Sequence, residues 1–328
     1  MNKKELGKFY TINNPFELKP FQDWFNSIPD IEEAVILEPF AGANNIVKLM
    51  NVPNQWKCYD IYPCKPSENQ APEFKVIKRD TIQNFPKGYS VCITNPPYLA
   101  KNSATRNKIV YQGEPYDDLY KKCLDLMLKD LDYIAAIIPE SFITAGIFTE
   151  RLSCVISLTC KMFDDTDCPV CLAIFDKERS DDFYVYRMEE CLGTYNKSLI
   201  WYKPIGGSLF NWKINDPSGE IGIICVDNTS GPSIQFVEGS TIKSEDIKDS
   251  SRSFTRVSIS GIKIKDLKMF LYRCNQYLTW YRENTQDVFM TSFKGLRKDG
   301  KYRRRLDFET AKAIMSTVLI NYKKDLIA

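Results

Sequence analysis

The sequence contains no histidine among its 328 residues. This absence excludes Ser-His-Asp and Cys-His nucleophilic sites, Cys₂His₂ zinc fingers, the helical zinc-protease motif and any imidazole general base. Chemistry carried out by this chain must therefore use carboxylates, amides, aromatic rings, lysines or a cofactor.

Cysteines and long apolar runs are also scarce. Eleven cysteines are too few for a disulfide scaffold in this length, and most lie in apolar contexts typical of a reducing compartment. The CxxC pair Cys168-Pro169-Val170-Cys171 has no second pair to complete a zinc site, so we expect no metal. No apolar run approaches the ~20 residues that span a bilayer, and the N-terminus lacks an apolar signal core. We expect a cytoplasmic protein with no membrane partner.

The net charge of +2 hides an uneven distribution of charge. Residues 1–178 carry 20 basic and 24 acidic side chains, whereas residues 252–305 carry 14 basic and 4 acidic ones. Such asymmetry is typical of an enzyme with an attached nucleic-acid-binding region, the alternative being a solvated helix face. We predict a catalytic domain over residues 1–178 and a basic recognition domain over residues 179–328.

The first half alternates short apolar strands with helical stretches, which predicts a doubly wound α/β domain with a parallel sheet. The predicted strands and helices are Ala34–Leu37, Asn45–Met50 (helix), Lys57–Tyr59, Phe74–Ile77, Tyr89–Thr94, Tyr116–Leu131 (helix) and Tyr133–Ile138. In such sheets the ligand lies beyond the carboxyl ends of the strands. After about residue 180 the pattern becomes that of a mixed α+β, loop-rich domain with a helix over Phe308–Leu326.

Acidic residues follow the first two predicted strands. Glu38-Pro39-Phe40-Ala41-Gly42 forms a strand-to-helix turn in which the glycine allows close approach to a ligand, and Asp60 ends the next strand. The phosphate-binding pattern GxGxxG is missing, which disfavours NAD and FAD. A cationic cofactor without phosphates fits better, and S-adenosylmethionine is the common one.

Asn95-Pro96-Pro97-Tyr98 ends the fourth predicted strand. The prolines fix φ, so the Asn95 side-chain oxygen and the Pro96 carbonyl can accept the hydrogens of an amino group. The Tyr98 ring offers a flat face for stacking a planar base. The alternative interpretation is a tight turn after a strand.

Together these segments resemble the amino-group DNA methyltransferases. Lys8-Phe9-Tyr10-Thr11 with Pro15, then Glu38 to Gly42, then Asn95 to Tyr98 are similar in order to motifs X, I and IV of the gamma group of adenine-N6 enzymes. Only 52 residues separate Gly42 from Asn95, too few for a recognition domain between them. The resemblance covers roughly residues 8–178. One departure is the turn Ala41-Gly42-Ala43-Asn44, where many relatives carry another glycine.

The resemblance implies a set of site residues. Asp60 matches the ribose-binding acid, Asp80 matches the acid that meets the cofactor's adenine, and Phe163 matches the aromatic that packs against an extruded target adenine. The implied catalytic residues are Asn95, Pro96, Pro97, Tyr98 and Phe163. The implied cofactor residues are Phe9, Tyr10, Thr11, Pro15, Glu38, Pro39, Ala41, Gly42, Asp60, Ile61, Asp80, Thr81 and Asn95. The family resemblance implies a Rossmann-like monomer that methylates adenine N6 in double-stranded DNA and is functionally paired with a restriction endonuclease.

Two segments are expected to contact DNA. Leu296–Arg305 combines basic charge, an aromatic residue and an Asp-Gly turn, and its arginines and lysines would neutralise phosphates or read guanine. The expected contacts are Arg297, Lys298, Lys301, Arg303, Arg304 and Arg305, with Lys101, Arg106 and Lys108 in a polar loop over Leu99–Pro115. This loop is predicted to close over the extruded nucleotide, the alternative being a disordered surface loop.

Other functions remain open at the level of sequence. An N4-cytosine, RNA or protein-glutamine methyltransferase would use similar motifs, although cytosine enzymes more often carry Ser at the position of Asn95. A DNA-binding module that has lost catalysis would also keep the fold. The presence of Glu38, Asp60, Asp80, Asn95 and Tyr98 favours an active enzyme.

Overall fold

The computed structural model describes residues 11–63, 75–164 and 166–327. The chain forms two compact units that divide between Asn196 and Lys197. This division lies after the boundary that the charge distribution suggested at residues 178/179, because two further strands pair with the sheet of the first unit.

The first unit contains four α-helices and nine strands within its described residues. The helices are α1 (Lys19–Ser27), α2 (Asn45–Met50), α3 (Lys101–Arg106) and α4 (Leu119–Asp130). The strands are β1 (Ile36–Glu38), β2 (Trp56–Asp60), β3 (Val76–Lys78), β4 (Val91–Thr94), β5 (Tyr133–Pro139), β6 (Leu152–Leu158), β7 (Val170–Phe175), β8 (Tyr184–Arg187) and β9 (Glu190–Thr194).

These nine strands form one sheet in the order β3-β2-β1-β4-β5-β7-β6-β8-β9. The five strands from β3 to β5 pair in parallel, which confirms the predicted α/β core, whereas β7 runs antiparallel to both of its neighbours. β1, β4 and β7 are buried at every residue, as expected for strands covered on both faces. The strand order reverses between β1 and β4, and the ends of these two strands therefore form a crevice where a ligand can bind.

The second unit is mixed α+β. Its antiparallel sheet has the order β10-β13-β11-β12, formed by β10 (Trp212–Ile214), β11 (Ile221–Ile224), β12 (Gln235–Glu238) and β13 (Phe254–Ile259). β14 (Thr291–Leu296) and β15 (Tyr302–Arg305) form a hairpin, and the helices are α5 (Leu267–Thr285), α6 (Phe308–Asn321) and α7 (Lys323–Leu326).

Helix caps account for where the two long helices of this unit begin. The carboxylate of Asp266 accepts a hydrogen bond from Met269 N (2.9 Å), and that of Asp307 accepts one from Thr310 N (2.9 Å). The helix predicted over Phe308–Leu326 is interrupted at Tyr322, whose backbone is not helical. In the described part of the chain, none of the helices is both long enough and apolar enough to cross a bilayer.

Candidate active site

A cavity of about 410 Å³ lies at the carboxyl ends of the central strands of the first unit. Residues from the ends of β1, β2 and β4 and from the segment after β3 meet there, although they are distant in sequence. The cavity is lined by Thr11, Glu38, Phe40, Ala41, Gly42, Asn45, Ile46, Asp60, Ile61, Tyr62, Asp80, Thr81, Ile82, Asn95, Pro97, Leu99, Lys108, Ile109, Val110, Gln112 and Leu119. Ten of the residues singled out from the cofactor and catalytic motifs therefore border one space: Thr11, Glu38, Ala41, Gly42, Asp60, Ile61, Asp80, Thr81, Asn95 and Pro97.

The turn after β1 is held by β2. Ala41 N donates to the carbonyl of Tyr59 (2.8 Å), and Gly42 N donates to Asp60 Oδ2 (3.0 Å). Gly42 has φ of 51°, a conformation that costs glycine little and most other residues more. The glycine thus lets the chain turn sharply from strand to α2 while its backbone borders the cavity.

Glu38 is the most deeply buried acid of the cavity, at 1% exposure. Its Oε1 accepts hydrogen bonds from Thr94 Oγ1 (2.6 Å) at the end of β4 and from Phe40 N (2.9 Å). Burial raises the pKa of Glu38 to about 8, since the loss of water outweighs these two hydrogen bonds and the charge of Asp60 adds to the rise. A cationic group entering the cavity would favour the ionised form of this carboxyl.

Two further acids are oriented by backbone amides. Asp60 Oδ1 accepts from Tyr62 N (2.6 Å), and Asp80 Oδ1 accepts from Ile82 N (3.1 Å) and Gln83 N (3.2 Å). These hydrogen bonds fix the orientation of both carboxylates at the cavity. Thr81, beside Asp80, donates from Oγ1 to the carbonyl of Pro39 (2.9 Å) and thereby ties the β3 end to the β1 turn.

The tetrapeptide from Asn95 to Tyr98 differs in one respect from its sequence interpretation. Asn95 and Pro97 line the cavity, but Pro96 is buried and Tyr98 is only 9% exposed. The Tyr98 hydroxyl donates to the carbonyl of Ile137 on β5 (2.6 Å) and to Asn95 Oδ1. Burial raises the pKa of Tyr98 well above its usual value. The ring is therefore held inside the unit and does not present the open stacking face that the sequence suggested.

Aromatic packing explains this position of Tyr98. Its ring meets Phe163 edge-on (centroids 6.1 Å apart, 68° between planes) and Tyr120 almost perpendicularly (6.3 Å, 88°). Phe163 is itself fully buried and pairs through its backbone with Thr11. The motif residues Thr11, Asn95, Tyr98 and Phe163 are thus neighbours, as the family resemblance implies, in an arrangement where the two aromatic rings pack on each other.

The N-terminal motif is only partly described. Thr11 lines the cavity, and its carbonyl accepts from Asn45 Nδ2 (2.9 Å). Pro15 is buried at the start of a short 3₁₀ helix and does not line the cavity. Phe9 and Tyr10 lie outside the described residues.

The polar segment after the tetrapeptide folds back over the cavity. Its two ends are joined by backbone hydrogen bonds, from Lys101 N to the Asp117 carbonyl (2.8 Å) and from Leu119 N to the Leu99 carbonyl (3.1 Å). The segment contains α3, which the sequence analysis did not predict. Residues 108–110 and Gln112 border the cavity, so this segment covers the proposed cofactor space.

The three basic residues of this segment that were expected to bind DNA differ in their surroundings. Lys101 forms a surface ion pair with Glu114 (2.8 Å), and Arg106 is exposed at the end of α3. Lys108 is exposed and also lines the cavity. No local sequence pattern predicts this position, because it depends on how the segment folds back.

The basic hairpin of the second unit contains the expected Asp-Gly turn, with Gly300 at φ 77°. The structure buries Arg297 and Arg304 at 6% and 2% exposure, so they are not presented to DNA as the sequence analysis expected. Arg297 forms ion pairs with Asp227 (3.2 Å) and Asp299 (2.8 Å), which hold its guanidinium inside the unit. Lys298 and Lys301 are exposed.

Arg303 and Arg305 are half-buried on β15, so their exposure lies between that of the buried arginines and that of the exposed lysines. Arg303 donates from Nε to the carbonyl of Asp227 (2.6 Å), and its guanidinium lies 4.9 Å from the centre of the Phe293 ring. Alternation along the strand thus turns these two arginines to the other face from Arg304.

No protein-family model and no curated protein sequence matches the chain. Several solved structures are similar over part of it. A type I restriction-modification methyltransferase subunit from Streptococcus thermophilus is 14% identical over 55% of this chain and 47% of its own, with a TM-score of 0.37. The type IIG restriction endonuclease BpuSI is 16% identical over 57% of this chain and 28% of its own, with a TM-score of 0.39. The M protein of the type I restriction enzyme EcoKI is 13% identical over 47% of this chain and 44% of its own, with a TM-score of 0.32. The chain spans less than half the length of these three proteins.

Proposed function

We propose that the first unit binds S-adenosylmethionine in the strand-end cavity and that the protein methylates the N6 amino group of adenine in DNA. The observation that carries the proposal is the convergence of Glu38, Asp60 and Asp80 with the Asn95 amide around one cavity at the reversal of the strand order. The same four residues belong to the motifs that the sequence resemblance indicates.

The chemistry of the cavity fits such a cofactor. Its volume of about 410 Å³ lies within the usual range of small-molecule sites. Glu38 would hold the cofactor's ammonium group, Asp60 its ribose hydroxyls and Asp80 its adenine amino group. The apolar side chains of Phe40, Ile61 and Ile82 would cover the adenine ring.

S-adenosylmethionine bound there would supply an electrophilic methyl group. Asn95 would act on the target, because its Oδ1 can accept a hydrogen bond from an amino group and so increase the electron density on that nitrogen. The same oxygen accepts from the Tyr98 hydroxyl in the structure, which orients the amide. Catalysis would then consist of positioning and polarisation, which needs no histidine.

DNA is the proposed substrate because basic side chains are exposed on the second unit. Of the 14 basic residues in 252–305, Arg252, Lys263, Lys265, Lys268, Lys294, Lys298 and Lys301 are exposed. Exposed cations without close anionic partners are suited to phosphate contacts.

The test is transfer of a tritiated methyl group from S-adenosylmethionine to duplex DNA, RNA and protein, with the product identified by mass spectrometry. We expect N6-methyladenine in DNA and about a 100-fold or greater loss of turnover in Asn95→Ala, the scale for removing one positioned polar group. Asn102→Ala, an exposed amide of α3 outside the cavity, is the control and should retain activity. Wild-type turnover in Asn95→Ala would contradict the catalytic assignment, and label in RNA or protein would contradict the substrate.

A further inference from the structure

The second unit contains a separate pocket of about 290 Å³ between α5 and α6. It shares no residue with the strand-end cavity. Its lining consists of Arg273, Gln276, Tyr277, Trp280, Val318, Asn321 and Tyr322. Three aromatic rings, two amides and one guanidinium therefore face the same small space.

The spacing of α5 produces this arrangement. Gln276 and Tyr277 each lie three or four residues from both Arg273 and Trp280, so the four residues share one helix face. The adjoining face, which includes Phe270, Cys274, Leu278 and Tyr281, is buried in the unit. The pocket is thus formed beside the buried face of α5.

The aromatic wall is held in place by ring contacts. The Trp280 ring lies 5.3 Å from Tyr277 and 5.3 Å from Tyr202, each at 59°, while Trp280 remains 42% exposed. An indole that is fixed on two sides and open on another is a preorganised surface for stacking a planar ring.

The polar groups of the pocket are also oriented. The Arg273 guanidinium lies over the Tyr322 ring at 4.6 Å and donates to Gln276 Oε1 (3.0 Å). Gln276 Nε2 in turn donates to the Tyr272 hydroxyl (2.9 Å). Arg273 is the one formally charged residue in the lining, so the pocket favours a ligand that combines a flat ring with an anion.

Exposed lysines extend this positive charge beyond the pocket. A backbone bridge between Ile264 and Ile327, with a hydrogen bond from Lys265 N to the Leu326 carbonyl (2.9 Å), brings the start of α5 beside α7. The exposed lysines of these two segments are Lys263, Lys265, Lys268, Lys323 and Lys324, against the acids Asp266 and Asp325. The pocket residues Arg273 and Tyr322 are therefore flanked by five exposed lysines and two acids.

We propose that this pocket binds one unpaired nucleotide of a nucleic-acid strand. The base would stack on Trp280 and Tyr277, its edge would meet the amides of Gln276 and Asn321, and its phosphates would lie near Arg273 and the lysines. Bases of an intact duplex are already stacked on their neighbours, so the pocket selects single strands over duplex. The proposal concerns a second nucleic-acid contact and does not depend on methyl transfer.

The experiment measures binding of a short fluorescent oligodeoxythymidine, an RNA of the same length and a matched duplex, all without S-adenosylmethionine. We expect Trp280→Ala to weaken single-strand binding by about 5- to 150-fold, the range for losing one stacked base. Trp280→Phe should retain part of the affinity. Trp201→Ala, which removes a tryptophan that is 78% exposed but outside the pocket, is the matched control and should bind like the wild type.

Salt titration gives a second readout. Arg273→Gln should reduce the slope of log affinity against log salt by about 0.7, the value for one phosphate contact on a single strand. Thermal unfolding of each variant separates loss of binding from loss of fold. Equal single-strand affinity in Trp280→Ala and the wild type, a loss of duplex binding in Trp280→Ala as large as the loss of single-strand binding, or self-association through this face that Trp280→Ala abolishes would each overturn the proposal. Since cofactor is absent, none of these outcomes bears on the proposed methyltransferase activity.

Discussion

Both units bury carboxylates, but the two sites differ in what surrounds the charge. In the first unit, Glu38 meets a hydroxyl and a backbone amide, and in the described residues it forms no ion pair with lysine or arginine. In the second unit, Asp227 is fully buried and bonded through both oxygens to the Arg282 guanidinium (2.9 and 2.8 Å). Glu38 can therefore pair with a cationic ligand, whereas the charge of Asp227 is already balanced by the Arg282 guanidinium.

The pKa values follow this difference. Burial raises the pKa of Glu38 to about 8. Burial alone would also raise the pKa of Asp227, but the hydrogen bonds and charge of Arg282 lower it below its usual value. A buried acid without a cationic partner indicates a binding site, and a buried acid paired with arginine indicates structural support.

The largest effect is expected where the ion pairs of the second unit are broken. Arg282 also donates to Asp287 (2.7 and 2.9 Å), so Arg282→Ala removes a guanidinium from two buried carboxylates, of which Asp227 keeps its ion pair with Arg297 (3.2 Å). We expect a loss of about 3–5 kcal/mol in the free energy of unfolding, measured in urea. Arg252→Ala, at an exposed arginine, is the control and should change stability little. A loss below about 1 kcal/mol, the value typical of surface pairs, would show that the network is not a structural support.

A smaller effect is expected at Asp60. Asp60→Ala removes the acceptor for Gly42 N and the carboxylate proposed to bind ribose. We expect S-adenosylmethionine to bind about 1–3 kcal/mol more weakly by calorimetry, the range for a charged hydrogen bond. Asp23→Ala, in an exposed pair with Lys19, provides the control. Asp60→Asn keeps the shape of the side chain, and unchanged affinity in this variant would place the ribose elsewhere.

The raised pKa of Glu38 predicts a dependence of stability on pH. Between its ordinary value of 4.5 and about 8, the folded protein holds a proton on Glu38 that the unfolded chain has lost. Folding therefore binds a proton in this range, and this contribution to stability is lost as the pH rises through about 8. In Glu38→Gln the free energy of unfolding should fall less steeply as the pH rises, by at most about 1.4 kcal/mol per pH unit. Parallel stability curves for the two proteins would show that Glu38 titrates normally.

The smallest effect is expected from the exposed lysines of the hairpin. Lys298→Gln and Lys301→Gln should each reduce the salt slope of duplex binding by about 0.9 if they contact phosphates. Lys87→Gln, at an exposed lysine of the first unit, serves as the control. Arg304 is unsuitable for this test, because its side chain is buried and its loss would disturb the fold. An unchanged slope would leave the hairpin without a role in DNA binding.

The sequence predicts the strand-end cavity well because local patterns determine it. Short buried strands place the next polar residue at the sheet edge, and Glu38, Asp60, Asp80 and Asn95 indeed border one cavity. The predicted bounds of α2 agree with the structure, and those of β5 differ by one residue at its end.

Features that depend on distant partners were not predictable. The local sequence predicts that Arg297 is a surface cation. The fold brings its partner Asp227, 70 residues earlier, into contact with it. The local sequence likewise predicts that the Tyr98 ring is exposed. In the fold its hydroxyl donates to the carbonyl of Ile137 on β5, which holds the ring inside the unit. The helix α5 was missed because aromatic and charged residues occupy its outer face, which weakens the contrast with its buried face.

The Glu38 carboxyl is expected to bind the cationic ammonium group of a ligand, and titration calorimetry with S-adenosylmethionine tests this most directly. Near pH 7 the Glu38 carboxyl, with its pKa raised to about 8, should be largely protonated and should release its proton when it meets the ammonium group. Titrations in buffers of different ionisation heat should therefore show proton release in the wild type and in the exposed control Glu33→Gln. Glu38→Gln should bind more weakly and release none. Absence of binding by the wild type, or equal affinity and proton release in Glu38→Gln, would contradict the account.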